Sequence, residues 1–132
     1  MPDVPTDATS TLFETYLAAS QAKDIEAMAA CWHEDCEGIY PLRPNRGWRG
    51  IDSFRRVWTL MWEHNPSGRY EVVSTSWADD HFVIEARIEL PGGTLVPGVN
   101  VFDVEDGKIR RVRVYADIPT PDGGSVEDFI SA

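Results

Sequence analysis

Cysteine is scarce: the 132 residues hold two, Cys31 and Cys36. Two cysteines cannot build the disulfide framework of a small secreted domain, and their separation is too wide for a CxxC redox motif. They read as small apolar groups buried at a helix end and a strand start, which fits a reduced, cytoplasmic setting. Basic charge is thin as well, with 12 Lys and Arg against 22 Asp and Glu and a formal net charge of −10. That balance repels nucleic acid and anionic membrane surfaces, so neither is expected as a partner. No run is apolar and long enough to span a bilayer. The first residues carry Asp3 and Asp7 and no apolar stretch, so they do not read as a signal peptide. There is no internal repeat and no metal-ligand spacing such as HExxH, and no metal or cofactor is expected.

What is present is a globular composition, 42% hydrophobic and 11% aromatic. This size favours one domain over residues 1–132, with 1–6 and 118–132 as loosely attached tails. The most legible stretch is VFDVEDGKIRRVRVYAD, Val101 to Asp117. It reads as two strands joined at Glu105-Asp106-Gly107, where Gly107 can adopt the positive φ of a tight turn. Side chains alternate along a strand, so Val112, Val114 and Ala116 share one face and Arg111, Arg113, Tyr115 and Asp117 the other. Arg110, Arg111 and Arg113 are read as cross-strand ion pairing.

The apolar hairpin face needs partners, and the preceding chain supplies them. Leu12, Phe13, Tyr16 and Leu17 fall on one face of a first helix, capped at Thr6 or Asp7. Asp24 can cap a second helix with Ala27 three positions on, and Ile25, Met28, Ala29 and Trp32 form its buried side. His33, Glu34 and Asp35 then end that helix. Cys36 to Pro41 is a short strand, and Leu42 to Arg49 a loop. Gly50 precedes a third helix, Ile51 to His64, with Phe54, Val57, Trp58, Met61 and Trp62 as a wide apolar stripe. After Gly68 the period changes to two. Strands are expected over Tyr70 to Trp77, from Phe82 to Leu90 with Ile84, Ala86 and Ile88 inward, and from Thr94 to Val104, with a bend or bulge at Pro97-Gly98. Three helices followed by antiparallel strands make an α+β layout: a cone-shaped α+β barrel, helices packed on a strongly curved, mostly antiparallel sheet, leaving a conical cavity.

This order of elements resembles the nuclear transport factor 2-like superfamily, whose members include ketosteroid isomerase, SnoaL-type polyketide cyclases and limonene epoxide hydrolase. The matching residues are Tyr16, Lys23-Asp24-Ile25-Glu26-Ala27, His33-Glu34-Asp35, Gly50, Gly107-Lys108-Ile109 and Tyr115-Ala116-Asp117. They cover roughly residues 10 to 117. The scaffold hosts many functions, so the resemblance speaks first to fold.

The resemblance implies a site. The isomerase's hydrogen-bonding tyrosine falls on Tyr16, and its second oxyanion donor falls near Asn100, whose amide can donate without a pKa shift. Its catalytic carboxylate falls on Tyr40, a poor base at neutral pH. Two further tyrosine positions fall on Trp32 and Trp58. The carboxylate of the cyclases and the hydrolase falls on Val114, so that base is missing too. Asp117 matches the family's Tyr-x-Asp ending and reads as structural. Arg87-Ile88-Glu89 looks like the hydrolase's Arg-x-Asp pair, yet the clean apolar face of Phe82, Ile84, Ala86 and Ile88 should take the inside and leave Arg87 and Glu89 outside. His33 or Asp35 is the candidate to replace the lost base. The expected catalytic set is thus Tyr16, Tyr40, Asn100, His33 and Asp35. The expected walls are Trp32, Trp58, Trp62, Ile84, Ala86, Ile88, Phe102, Val112 and Val114. The implied function is cofactor-free action on a hydrophobic small molecule, of isomerase, cyclase or epoxide-hydrolase type, by a homodimer. The alternative is a non-catalytic binding or dimerisation module on the same fold.

Overall fold

The computed structural model describes residues 4–42, 47–64, 69–89 and 93–116, with the side chains of 4–7 and 64 outside the description. Helix α1 (Val4–Gln21) turns Thr9, Phe13, Tyr16 and Ala19 inward at helical spacing. It starts at Val4, inside the segment expected as a loose tail and before either expected cap. The expected tail at 118–132 lies outside the described residues. Lys23 takes a left-handed φ of 54° and reverses the chain. Asp24 then caps α2 (Ile25–Ala29), its Oδ1 accepting from the Ala27 N–H at 3.1 Å.

Helix α2 ends at Ala29, and Trp32 opens strand β1 (Trp32–Ile39). The expected helix through Trp32 to Asp35 is therefore corrected. Met28 and Trp32 fit a helical spacing, but a tertiary ladder overrides it. The Ile109 N–H donates to the Cys31 carbonyl at 2.8 Å, and Trp32 pairs with Ile109 in a parallel ladder. His33, Glu34 and Asp35 consequently lie on a strand, and His33 caps no helix.

A second correction follows. Gly47–Arg49, expected as loop, forms strand β2 against β1, with Gly38 opposite Trp48. The absent side chain of Gly38 makes room for the indole: a Cβ there would stand 2.3 Å from the Trp48 ring. Trp48 is itself buried against Trp32 and Phe54, so it cannot swing away freely. Gly38→Ala is expected to destabilise the fold by about 1–3 kcal/mol through overpacking. A thermal melt would show it, and an unchanged midpoint would contradict this account of the β1–β2 contact.

Gly50, at φ 90°, leads into α3 (Ile51–His64). Its stripe buries Phe54 and Val57 and half-buries Trp58, Met61 and Trp62. Four longer strands follow: β3 (Tyr70–Trp77), β4 (His81–Glu89), β5 (Leu95–Glu105) and β6 (Lys108–Tyr115). The sheet order is β2-β1-β6-β5-β4-β3, with β1–β6 the parallel pair and the other neighbours antiparallel. The sheet is curved and open, not a closed barrel, with the helices packed on it. The β5–β6 turn is a two-residue turn, Asp106 at φ 52° and Gly107 at φ 79°. The bulge expected at Pro97-Gly98 is absent: Arg87–Pro97 and Ala86–Gly98 pair in unbroken register. Register shifts fall instead between Trp32 and Glu37, between Val72 and Ser74 and between Asp103 and Val104.

The core is aromatic. Phe82 stacks on Phe102 at 4.6 Å, Tyr16 meets Phe102 edge-on at 5.4 Å, and Trp32 lies 4.8 Å from Phe54. Both cysteines are free and buried, Cys31 in the turn after α2 and Cys36 within β1. No helix among the described residues is long and apolar enough to cross a membrane.

Candidate functional site

The concave face of the sheet sets the site. Because strand side chains alternate, β4 turns Phe82, Ile84, Ala86 and Ile88 inward. Beside them β5 presents Gly98, Asn100 and Phe102. Asn100 sits in register between Ile84 on β4 and Val114 on β6. It is thus a polar residue with an apolar neighbour on each adjacent strand, and such a group needs a partner. One is Tyr70, the first residue of β3. The Asn100 Nδ2–H donates to the Tyr70 hydroxyl at 3.1 Å.

Tyr16 approaches from α1. Its ring is edge-on to Trp32 at 5.9 Å and to Phe102, which fixes its direction. Burial holds its pKa well above the usual value for a tyrosine, and the nearby Tyr70 hydroxyl raises it further. Burial likewise pushes Tyr70 up to about 12, partly offset by the Asn100 hydrogen bond. Both hydroxyls therefore stay protonated through the physiological range. The nearby Trp32 indole N–H acts the other way, lowering the Tyr16 pKa, but it makes no hydrogen bond. Among the described residues, Trp32 Nε1 and Asn100 Oδ1 are buried polar atoms with no partner.

The structure brings together Tyr16, Trp32, Phe102 and, through Tyr70, Asn100. Trp32, Ile84, Ala86, Phe102 and Val112 form the deep floor, all nearly inaccessible. Trp58, Trp62, Ile88 and Val114 are half-buried around it. Tyr40 is buried at the end of β1 within the same core. Tyr70 is the residue that sequence reading missed. The signal was available: it shares a strand parity with Val72, which is also half-buried.

His33 and Asp35 are placed elsewhere. The His33 Nε2–H donates to the Glu105 carbonyl at 2.6 Å, at the end of β5. Asp35 is exposed and 3.3 Å from Arg110. The outer sheet face is an ion-pair ladder, as the alternation implied. Arg111 and Arg113 reach Asp103 at 2.9 and 3.1 Å, and Arg111 also faces Glu37 at 3.7 Å. Arg87 pairs with Glu71 at 3.6 Å and Glu89 with Arg69 at 3.0 Å, so both stand outside the cone. Asp117 lies outside the described residues. A separate groove of about 790 Å³ runs along α2 and the start of α3, lined by charges of both signs including Glu26, Glu34, Asp52, Arg49 and Arg55. Arg55 there is already committed to Glu26 and Asp52, at 3.1 Å each. Among the described residues no three His, Cys, Asp or Glu side chains gather as metal ligands would.

A family model for the SnoaL-like domain matches residues 13–112. The chain belongs to the SnoaL-like domain family. This places it in the nuclear transport factor 2-like superfamily. No match was found among curated proteins. Solved structures share the fold of this SnoaL-like domain. An NTF2-like protein of unknown function from Mesorhizobium loti superposes with a TM-score of 0.77 at 23% identity, covering 88% of this chain and 96% of its own. A candidate ketosteroid isomerase from Kribbella flavida gives 0.75 at 19% identity, with 87% and 82% covered. A candidate polyketide cyclase from Sinorhizobium meliloti gives 0.68 at 19% identity, with 79% and 93% covered. At these identities the likeness is one of fold.

Proposed function

We propose that this SnoaL-like domain takes a neutral, hydrophobic small molecule into its cone and polarises an oxygen on it without a cofactor. The observation that supports this is the approach of Tyr16, Tyr70 and Asn100 to one another beside an apolar concave face. Tyr16 carries the electrostatic role: a neutral hydroxyl, oriented by packed rings, donates to an oxygen on which negative charge develops. Trp58, Trp62, Ile88 and Val114 act as walls, above a floor of Trp32, Ile84, Ala86, Phe102 and Val112. The reaction class is isomerisation, cyclisation or epoxide opening. Tyr40 serves as a further wall or donor. The hydrogen bond of His33 and the ion pair of Asp35 favour structural roles for both. The reading includes a cytoplasmic homodimer joined through the outer sheet face, where Val73, Leu95 and Tyr115 are exposed.

Tyr16→Phe tests it. Loss of one oriented donor is expected to lower kcat by about 10²–10³-fold on a substrate found by screening, with the melting temperature nearly unchanged. Equal turnover would remove Tyr16 from the mechanism. A second reading, binding without turnover, is favoured by the fate of the half-buried carboxylates: Glu37, Glu89 and Asp103 are all held by arginines. It predicts a ligand-induced rise in melting temperature with no product by mass spectrometry.

A further inference from the structure

The way Asn100 is held constrains what the cone can accept. One Nδ2–H is given to the Tyr70 hydroxyl at 3.1 Å, while its Oδ1 is buried with no partner among the described residues. An amide carbonyl left orphaned in that way costs about 1–3 kcal/mol, so an occupant that satisfies it gains accordingly. Tyr70, having accepted from the amide, has its own proton free to give. The hydrogen bond leaves at this corner an acceptor calling for a donor, Asn100 Oδ1, and a donor calling for an acceptor, the Tyr70 hydroxyl, with the second Nδ2–H as a further donor. They are near one another, because both amide atoms are on one carbon and the Tyr70 hydroxyl is hydrogen-bonded to one of them.

A ligand hydroxyl meets both needs at once. We propose that the occupant of the cone is a neutral alcohol, phenol or enol, and that the Asn100–Tyr70 pair is the subsite that selects its hydroxyl. The hydrogen bonds then close a ring: amide N–H to the Tyr70 oxygen, Tyr70 O–H to the ligand oxygen, ligand O–H to the amide Oδ1. A ketone or an ether can take the Tyr70 proton but leaves Oδ1 unpaired. A carboxylate or phosphate brings only acceptors and a charge that this apolar face does not balance. The surrounding residues agree, since Ile84, Val114 and Gly98 offer no competing polar atom beside Asn100. This rests on the small-molecule reading above and sharpens it. Asn100 becomes an acceptor for a hydroxyl, where the resemblance to ketosteroid isomerase had implied a donor to an oxyanion.

The test uses the full chain and three probes of similar shape: 2-naphthol, 2-methoxynaphthalene and 2-tetralone, titrated by calorimetry. Wild type is expected to bind 2-naphthol at least about tenfold more tightly than either of the others. Asn100→Leu and Tyr70→Phe should each collapse that ratio to about threefold or less, mainly by weakening 2-naphthol. Tyr70→Phe removes a single hydroxyl, so it keeps the test open should Asn100→Leu not fold. Binding of all three probes to wild type within about threefold overturns the hydroxyl assignment and leaves the small-molecule reading standing. Preference for 2-tetralone overturns it too, because it means that the amide presents its N–H₂ to the ligand. Absence of binding by every probe overturns both this assignment and the reading beneath it.

Discussion

Phe54→Ala is expected to lower the unfolding free energy by about 3–5 kcal/mol, the range for removing a fully buried ring. Phe54 is wholly inaccessible. Its ring meets Trp32 at 4.8 Å, Trp48 at 5.7 Å and Trp58 at 6.3 Å, so three elements lean on it: β1, β2 and α3 itself. Those neighbours are rigid indoles, two of them themselves buried, and they cannot collapse into the space as aliphatic chains would. For a domain of this size the loss corresponds to a fall in melting temperature of roughly 10–15 °C. A second effect should accompany it. Trp32 loses its support, and with it the packing that orients Tyr16 at 5.9 Å. Weaker ligand binding is therefore expected even below the melting range. A fall of less than about 1 kcal/mol would mean that the indoles repack, and that they are not the fixed floor described above.

The same residue shows why much of this fold was legible in the sequence. The stripe from Phe54 to Trp62 has a helical period, a glycine before it and an Asn-Pro after it, and α3 runs from Ile51 to His64 as expected. The alternation in β4 and β6 was equally clear, and it correctly put Arg87, Arg111 and Arg113 outside. What escaped was set by contacts distant in sequence. Trp32 fits a helix face by spacing, and only the parallel ladder to Ile109 makes it a strand residue. The three residues of β2 carry no period at all, and they form a strand because Gly38 leaves room for Trp48. At the candidate site, Tyr16 and Asn100 were reached through resemblance. Tyr70 had no counterpart there. Its strand parity with Val72 marks it as half-buried, but its hydrogen-bond partner lies thirty positions away in sequence, and that contact no local pattern encodes.

Alkaline pH should unfold the protein through the groups that line its interior. Tyr16, Tyr70, Cys31 and Cys36 all have raised pKa values, with burial the largest cause in each case. These are acids that are neutral when protonated, so a raised value means that the folded state holds protons which the unfolded chain releases. Stability is then complete below about pH 9 and falls as pH rises, since the folded state binds more protons than the unfolded one. For Cys36 the window runs from the usual thiol range to about 11. For Tyr70 it runs from about 10 to about 12. Each group removes about 1.4 kcal/mol per pH unit within its window. Several such groups together are expected to exhaust a typical stability of about 5–15 kcal/mol at roughly pH 11–12. Tyrosinate absorbance at 295 nm from the buried rings should therefore appear in one cooperative step with loss of far-ultraviolet circular dichroism. Tyr16→Phe and Tyr70→Phe should each move that step to higher pH, because each removes a group that only the unfolded chain ionises. Gradual ionisation of all four tyrosines near pH 10 with the dichroism intact would instead mean that solvent reaches both hydroxyls. In that case the protonated, water-excluded donors on which the proposed chemistry relies would not exist.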